Sequence, residues 1–146
     1  MPGTPSANQS GDPARLRAAL APLRAWLDQP DPPETDRPDR STLATAVRLT
    51  LRAFAQAHPG KAVEVRVPPF AAVQCLPGGA HTRGTPPHVV EVEPRLWLQL
   101  VTGRVEWSEA LNTTRLRASG YRAADVGAVL PLAITTEGDN SRARFE

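Results

Sequence analysis

Cys75, His58, His81 and His88 are the side chains that could ligate a metal or activate a nucleophile, and their spacing supports neither. There is no second cysteine, no Cys-x-x-Cys and no His-Glu-x-x-His, so the ligand sets that hold zinc are missing. Cys75 follows Val73 at a spacing of two in an alternating stretch and reads as a small buried hydrophobe. His58 closes a helical stretch, where a positive charge suits the helix dipole, so capping is favoured over ligation. Ser119 lies outside any Gly-x-Ser-x-Gly elbow and has no marked His or Asp partner. Glu91 and Glu93 share one strand face and read as a solvated edge, not an acid–base pair. No glycine fingerprint cradles a phosphate. These residues point to a protein that is not an enzyme and needs no metal or cofactor.

The polar run His81-Thr82-Arg83-Gly84-Thr85 is the most unusual in the chain. Arg83 could pair with a carboxylate or phosphate, helped by the Thr82 and Thr85 hydroxyls and the Gly84 amide. His81 could titrate near neutrality. The competing reading, which the residues favour slightly, is a solvated connection stiffened by Pro86-Pro87, with Arg83 bonding backbone carbonyls. A second kind of chemistry is apolar. Phe54, Phe70, Val73, Trp97, Leu100, Val101, Trp107 and Leu130 are large enough to line a cavity. Burying about ten methylenes at roughly 0.8 kcal/mol each would support micromolar binding after association costs. A domain this small also needs nearly all its large apolar residues to fold, so each one taken singly reads first as core.

The elements that must position these groups follow from periodicity. Asp12-Pro13 reads as an N-cap with proline at the first helical position. Leu16, Leu20, Leu23 and Leu27 then share one helical face, with Pro22 forcing a kink or a division into two short helices. Residues 29–40 carry clustered prolines and acids and read as an extended linker. A long helix capped by Ser41 or Thr42 buries Leu43, Val47, Thr50, Leu51, Phe54 and His58, and stops at Pro59-Gly60. Val63, Val65 and Val67 alternate as a strand; Phe70 to Leu76 is a second, and His88 to Glu93 a third. Pro94 opens a helix through Leu96, Trp97, Leu100 and Val101 that closes at Gly103. A short helix at Trp107 to Leu111, a strand at Arg115 to Ser119 and a last helix from Ala123 to Leu132 complete an α+β pattern.

Composition bounds the rest. The chain has 146 residues, 40% of them hydrophobic, and 16 prolines. No apolar run is long enough to span a bilayer. The first eleven residues lack the apolar core of a secretory signal, and a lone cysteine fits a reducing cytosol, so a cytoplasmic location is expected. Net charge is +2, and every basic residue except Lys61 is arginine. The arginines are dispersed among Asp and Glu, and strand aromatics of the stacking kind are limited to Phe70, so no nucleic-acid partner is expected.

From Trp97 to Gly120 the order Leu100-Val101-Thr102-Gly103, Trp107, Ala110-Leu111 and Arg115-Leu116-Arg117-Ala118-Ser119-Gly120 resembles the C-terminal half of sterol carrier protein-2-like domains. The run Val63 to Cys75 with His81 to Pro87 is similar, more narrowly, to an actinobacterial branch of bacterial sterol carrier family proteins. The resemblance covers Ser41 to Leu132. It implies a mostly antiparallel sheet of about five strands with helices on one face, although only four strands are legible. It also implies an apolar tunnel that takes a fatty acyl chain or another lipid. Trp97, Leu100 and Trp107 would then line the tunnel, with Arg83 and His81 at a polar head. Thr114 stands where the family usually has glycine, so the turn there must be rebuilt, for instance around Asn112.

The expected organisation is a disordered lead (1–11), a helical appendage (12–28), a proline-rich linker (29–40), the sterol-carrier-like domain (41–132) and a disordered tail (133–146). The leucine face of the appendage must fold back onto the domain or pack against a protein partner or second copy. Two functions remain open: a non-enzymatic carrier of an apolar or amphipathic small molecule, and an accessory or interaction domain with a filled core. Related domains appended to enzymes such as mycothiol-dependent isomerases illustrate the second.

Overall fold

The computed structural model describes residues 12–78 and 88–134. The lead, the tail beyond Ile134 and the run His81 to Pro87 lie outside the described residues. The chain opens with α1 (Pro13–Leu20), a 3-10 turn (Ala21–Leu23) and α2 (Arg24–Asp28). Asp12 caps α1 by accepting from the Ala14 amide at 2.9 Å. The helix is interrupted at Pro22, which has no N–H to donate and tightens the chain into the 3-10 turn. Leu16, Leu20, Leu23 and Leu27 are all buried, and α1 packs on α3 (Arg40–Ala57). The leucine face is therefore covered within the chain.

Side chains from further along hold this N-terminal unit in place. The exposed carbonyls at the end of α2 need donors. Arg95 Nη2 donates to the carbonyls of Trp26 and Gln29, and Gln99 Nε2 donates to the Leu27 carbonyl at 3.1 Å. Two guanidiniums lie over the Trp26 ring, Arg95 at 5.3 Å and Arg37 at 5.9 Å from its centroid. The proline-rich stretch contains a 3-10 turn at Glu34–Asp36.

Asp39, and not Ser41 or Thr42, is the N-cap of α3. Its carbonyl accepts from the Leu43 amide at 3.1 Å, and the Ser41 hydroxyl donates to its carboxylate at 3.2 Å. The Thr42 hydroxyl, the strongest influence on it, helps hold the Asp39 carboxyl below its usual range. The predicted stripe of α3 is buried from Leu43 to Phe54. The helix ends at His58, whose carbonyl accepts from the Leu76 amide at 2.7 Å and so ties the helix to the end of the second strand.

Four strands form one sheet in the order β2-β1-β3-β4, namely β1 (Val63–Val67), β2 (Ala71–Cys75), β3 (His88–Val92) and β4 (Leu116–Ser119). β1 pairs antiparallel with β2 and parallel with β3, and β4 is antiparallel to β3. Among the described residues the sheet has four strands, where the family resemblance implied about five. The predicted strand from Phe70 to Leu76 is a single strand, Ala71–Cys75, and Cys75 and His88 both pair with Val63. The connection between them thus begins and ends at the same end of β1.

Alternation decides which sheet face is covered. Val63, Val65, Val67, Cys75, Val90, Val92 and Leu116 are buried on the helix side. Arg66, Ala72, Gln74, Arg117 and Ser119 point the other way and are exposed. α4 (Pro94–Val101) starts with proline at its first position and is followed by Gly103 at φ +80°. α5 (Trp107–Leu111) has a capping box in which Glu109 accepts from the Glu106 amide at 3.0 Å. α6 (Ala124–Ala128) is shorter than predicted. Beyond it the Leu132 amide donates to the Val101 carbonyl at 3.0 Å, which ties this segment to the end of α4. Thr114 does not need a positive φ. The turn before β4 is built around Thr113 instead of Asn112: its hydroxyl donates to the Ala110 carbonyl at 2.8 Å and accepts from the Arg115 amide at 3.1 Å.

Candidate ligand-binding site

The predicted cavity residues fall into distinct environments. Phe54 from α3 and Trp97, Leu100 and Val101 from α4 are fully buried. The Trp97 indole meets Phe54 edge-on, with centroids 5.5 Å apart at 87°. Its Nε1 donates to the Thr50 hydroxyl at 2.9 Å. Thr50 lies within hydrogen-bond distance of the carbonyls of Ala46 (2.7 Å) and Val47 (3.0 Å), the usual back-bonding of a helical threonine. The indole is thus held from two directions. Thr50 is the buried polar residue of the described core, and its role as the Trp97 partner was missed in the sequence. The available signal was a threonine on an otherwise apolar stripe with a tryptophan elsewhere in need of an acceptor.

Phe70 and Val73 are only half-buried. Both belong to the β2 side of the sheet, which α3 covers, and the Arg40 guanidinium sits 5.4 Å from the Phe70 ring. Trp107 and Leu130 are half-buried as well, together with Val105, Val129, Leu132 and Ile134, all packed on the core. This group gathers at the C-terminal end of α4. Pro131 lies beside Gly103, and a Cβ on Gly127 would sit 2.3 Å from the Trp107 ring, so glycine is what lets the indole lie down there. The result is a half-buried apolar rim continuous with the buried interior. His81 and Arg83 lie outside the described residues.

The polar candidates do not form a reactive centre. Cys75 is fully buried, and burial pushes its thiol up to about 11, so it is not poised as a thiolate. Its Sγ lies 3.6 Å from the Val63 carbonyl. His88 stacks edge-on with Tyr121 at 4.8 Å. Among the described residues no group of three His, Cys, Asp or Glu side chains could hold a metal.

A feature absent from the predicted set is a polar groove of about 510 Å³ between α2, α4 and the α5 region. Asp28, Arg95, Gln99, Arg104, Glu109 and Arg115 contribute its polar lining. Arg95 and Gln99, four residues apart on the outward side of α4, were its only trace in the sequence.

The family model described as bacterial SCP ortholog matches residues 39–132, well over half of the chain. The chain belongs to this bacterial sterol carrier protein-like family. The match starts at Asp39, the cap of α3, and ends at Leu132, so the sterol carrier protein-like domain takes in the whole sheet and α3 through α6. The N-terminal helices α1 and α2 precede it. The mixed α+β architecture, with helices packed against one sheet, agrees with that membership. No curated protein matches the chain in sequence. Among the described residues no helix is long and apolar enough to cross a membrane.

Proposed function

We propose that this sterol carrier protein-like domain is a non-enzymatic carrier of an apolar or amphipathic small molecule, such as a lipid or fatty acyl chain. The observation that carries the reading is family membership over a domain whose buried α3–α4 interior runs out into a half-buried apolar rim. The acyl part enters past Trp107 and Leu130 and lies along Leu100 and Val101, with Phe54 and Trp97 at the inner end. Phe70 and Val73 border the same layer from the β2 side, and His81 and Arg83 meet the polar head. The test is native mass spectrometry of freshly purified protein, followed by displacement of a fluorescent fatty acid. Retained ligand or saturable displacement, weakened by Leu130→Arg, is expected. Neither retained ligand nor saturable displacement overturns the carrier reading.

A second reading, an accessory or protein-interaction domain with a filled core, is favoured by the double anchoring of Trp97 on Phe54 and Thr50. A partner could not use the leucine face of α1, which α3 already covers.

A further inference from the structure

The groove between α2, α4 and the α5 region is assembled from two parts of the chain. One wall, residues 27–30, precedes the family match, while the rest belongs to the shared domain. Its charges are unevenly used. Asp28 is taken by Arg104, at 2.7 Å. Glu109 accepts from the Glu106 amide through one oxygen and keeps its negative charge in the lining. Two guanidiniums are less tightly held. Arg95 donates from Nη2 to the neutral carbonyls of Trp26 and Gln29, and among the described residues its buried Nε has no acceptor. Arg115 forms a loose ion pair with Glu93, 3.7 Å from Nε to Oε1, and is half exposed.

A buried donor left unpaired is a cost the fold carries. The neighbourhood of two like charges adds to it. Burial first, and then repulsion from Arg115, pull the Arg95 guanidinium below its ordinary range, against the smaller opposing effects of Glu93 and Asp31. An anion placed between Arg95 and Arg115 would relieve the repulsion and form charge-assisted hydrogen bonds. The groove also has an apolar side, from Leu27 and Leu96, and its volume is that of a small-molecule site. We propose that this groove binds a small organic anion, its carboxylate or phosphate seated between Arg95 and Arg115 and its apolar part against Leu27 and Leu96. The site is separate from the α3–α4 interior and does not depend on the carrier reading.

The experiment titrates the full chain with hexanoate, hexyl phosphate and inorganic phosphate, using calorimetry and tryptophan emission. Trp26, 5.3 Å from the Arg95 guanidinium, is a built-in reporter. The expected result is saturable binding of hexyl phosphate or hexanoate, with the tighter of the two identifying the head group. Arg115→Gln should weaken that binding roughly tenfold while leaving the melting temperature in place, because Arg115 does not hold α2. Arg95→Gln should weaken binding and loosen α2 together. Leu130→Arg should leave this binding untouched, which separates it from any uptake through the rim. The proposal is overturned if neither organic anion saturates, if Arg115→Gln binds as well as the parent, or if inorganic phosphate binds as tightly as hexyl phosphate.

Discussion

Thr50→Val probes how dry the interior is around Trp97. Valine has the shape of threonine, is also β-branched and has a similar helix propensity, so the backbone and the packing volume are nearly conserved. What disappears is the acceptor of the Trp97 indole N–H, a bond of 2.9 Å in a fully buried setting. The carbonyls of Ala46 and Val47 keep their intrahelical surroundings, so the loss concentrates on the indole. A buried donor without a partner costs about 1–3 kcal/mol. For a domain of this size that corresponds to a fall in Tm of roughly 4–12 °C. Urea and thermal melts followed by circular dichroism measure it. In Trp97→Phe the threonine hydroxyl keeps the helix carbonyls, and the cost is that of lost ring volume. The double variant should therefore be less destabilised than the sum of the two, by about 1 kcal/mol. If Thr50→Val lies within about 0.5 kcal/mol of the parent at an unchanged denaturant slope, the indole has another partner and the reasoning fails.

Gly127→Ala should destabilise by about 1–3 kcal/mol, since the new methyl would lie 2.3 Å from the Trp107 ring and displace it; a stabilised variant, as helix propensity alone would give, contradicts the packing. Cys75 should resist an aromatic disulfide reagent at pH 8 in the folded protein and react at once in denaturant. Its folded value of about 11 lies above the ordinary 9.0. The thiol therefore contributes full stability below pH 9 and loses that contribution as pH climbs from 9 to 11. A Cys75→Ala variant should show a flatter decline over that window in pH-dependent melts, and an identical decline would refute the assignment.

Most of the elements were legible because local rules fixed them. Pro13, Pro22, Pro59 and Pro94 mark starts and breaks, and the alternation of Val63, Val65 and Val67 marks a strand without reference to anything distant. The cap of α3 was misplaced by a small margin because Asp39, Ser41 and Thr42 are all good caps, and only the geometry of the Leu43 amide chooses Asp39. The parallel pairing of β1 with β3 had no local trace; it depends on where a connection returns. The burial of Trp26 and its two arginine contacts were equally invisible, since they join positions 26, 37 and 95. For the candidate site, residue type identified the large apolar side chains. Type alone did not separate the locked interior of Phe54 and Trp97 from the half-buried rim of Trp107 and Leu130, because both are apolar stripes of similar period.

That separation bears on how a guest could be accommodated. Moving Trp97 aside with its indole still buried sacrifices an edge-to-face contact, about 0.5–1.5 kcal/mol, and leaves its N–H unpaired, about 1–3 kcal/mol. The sum is roughly 1.5–4.5 kcal/mol, and each buried methylene returns about 0.8 kcal/mol. About two to six methylenes therefore offset the displacement of the indole, and an acyl chain of about ten leaves a surplus against association costs. The rim asks for less, because Trp107 and Leu130 are already partly in water and lose fewer contacts when they swing out. On the carrier reading proposed above, the domain would have a threshold. Short apolar molecules would gain too little to unlock the interior and would stay at the rim, whereas long chains would pass the rim and make the displacement of Trp97 favourable. The anchoring of Trp97 is then compatible with that proposal, and it would set the minimum length of a carried chain.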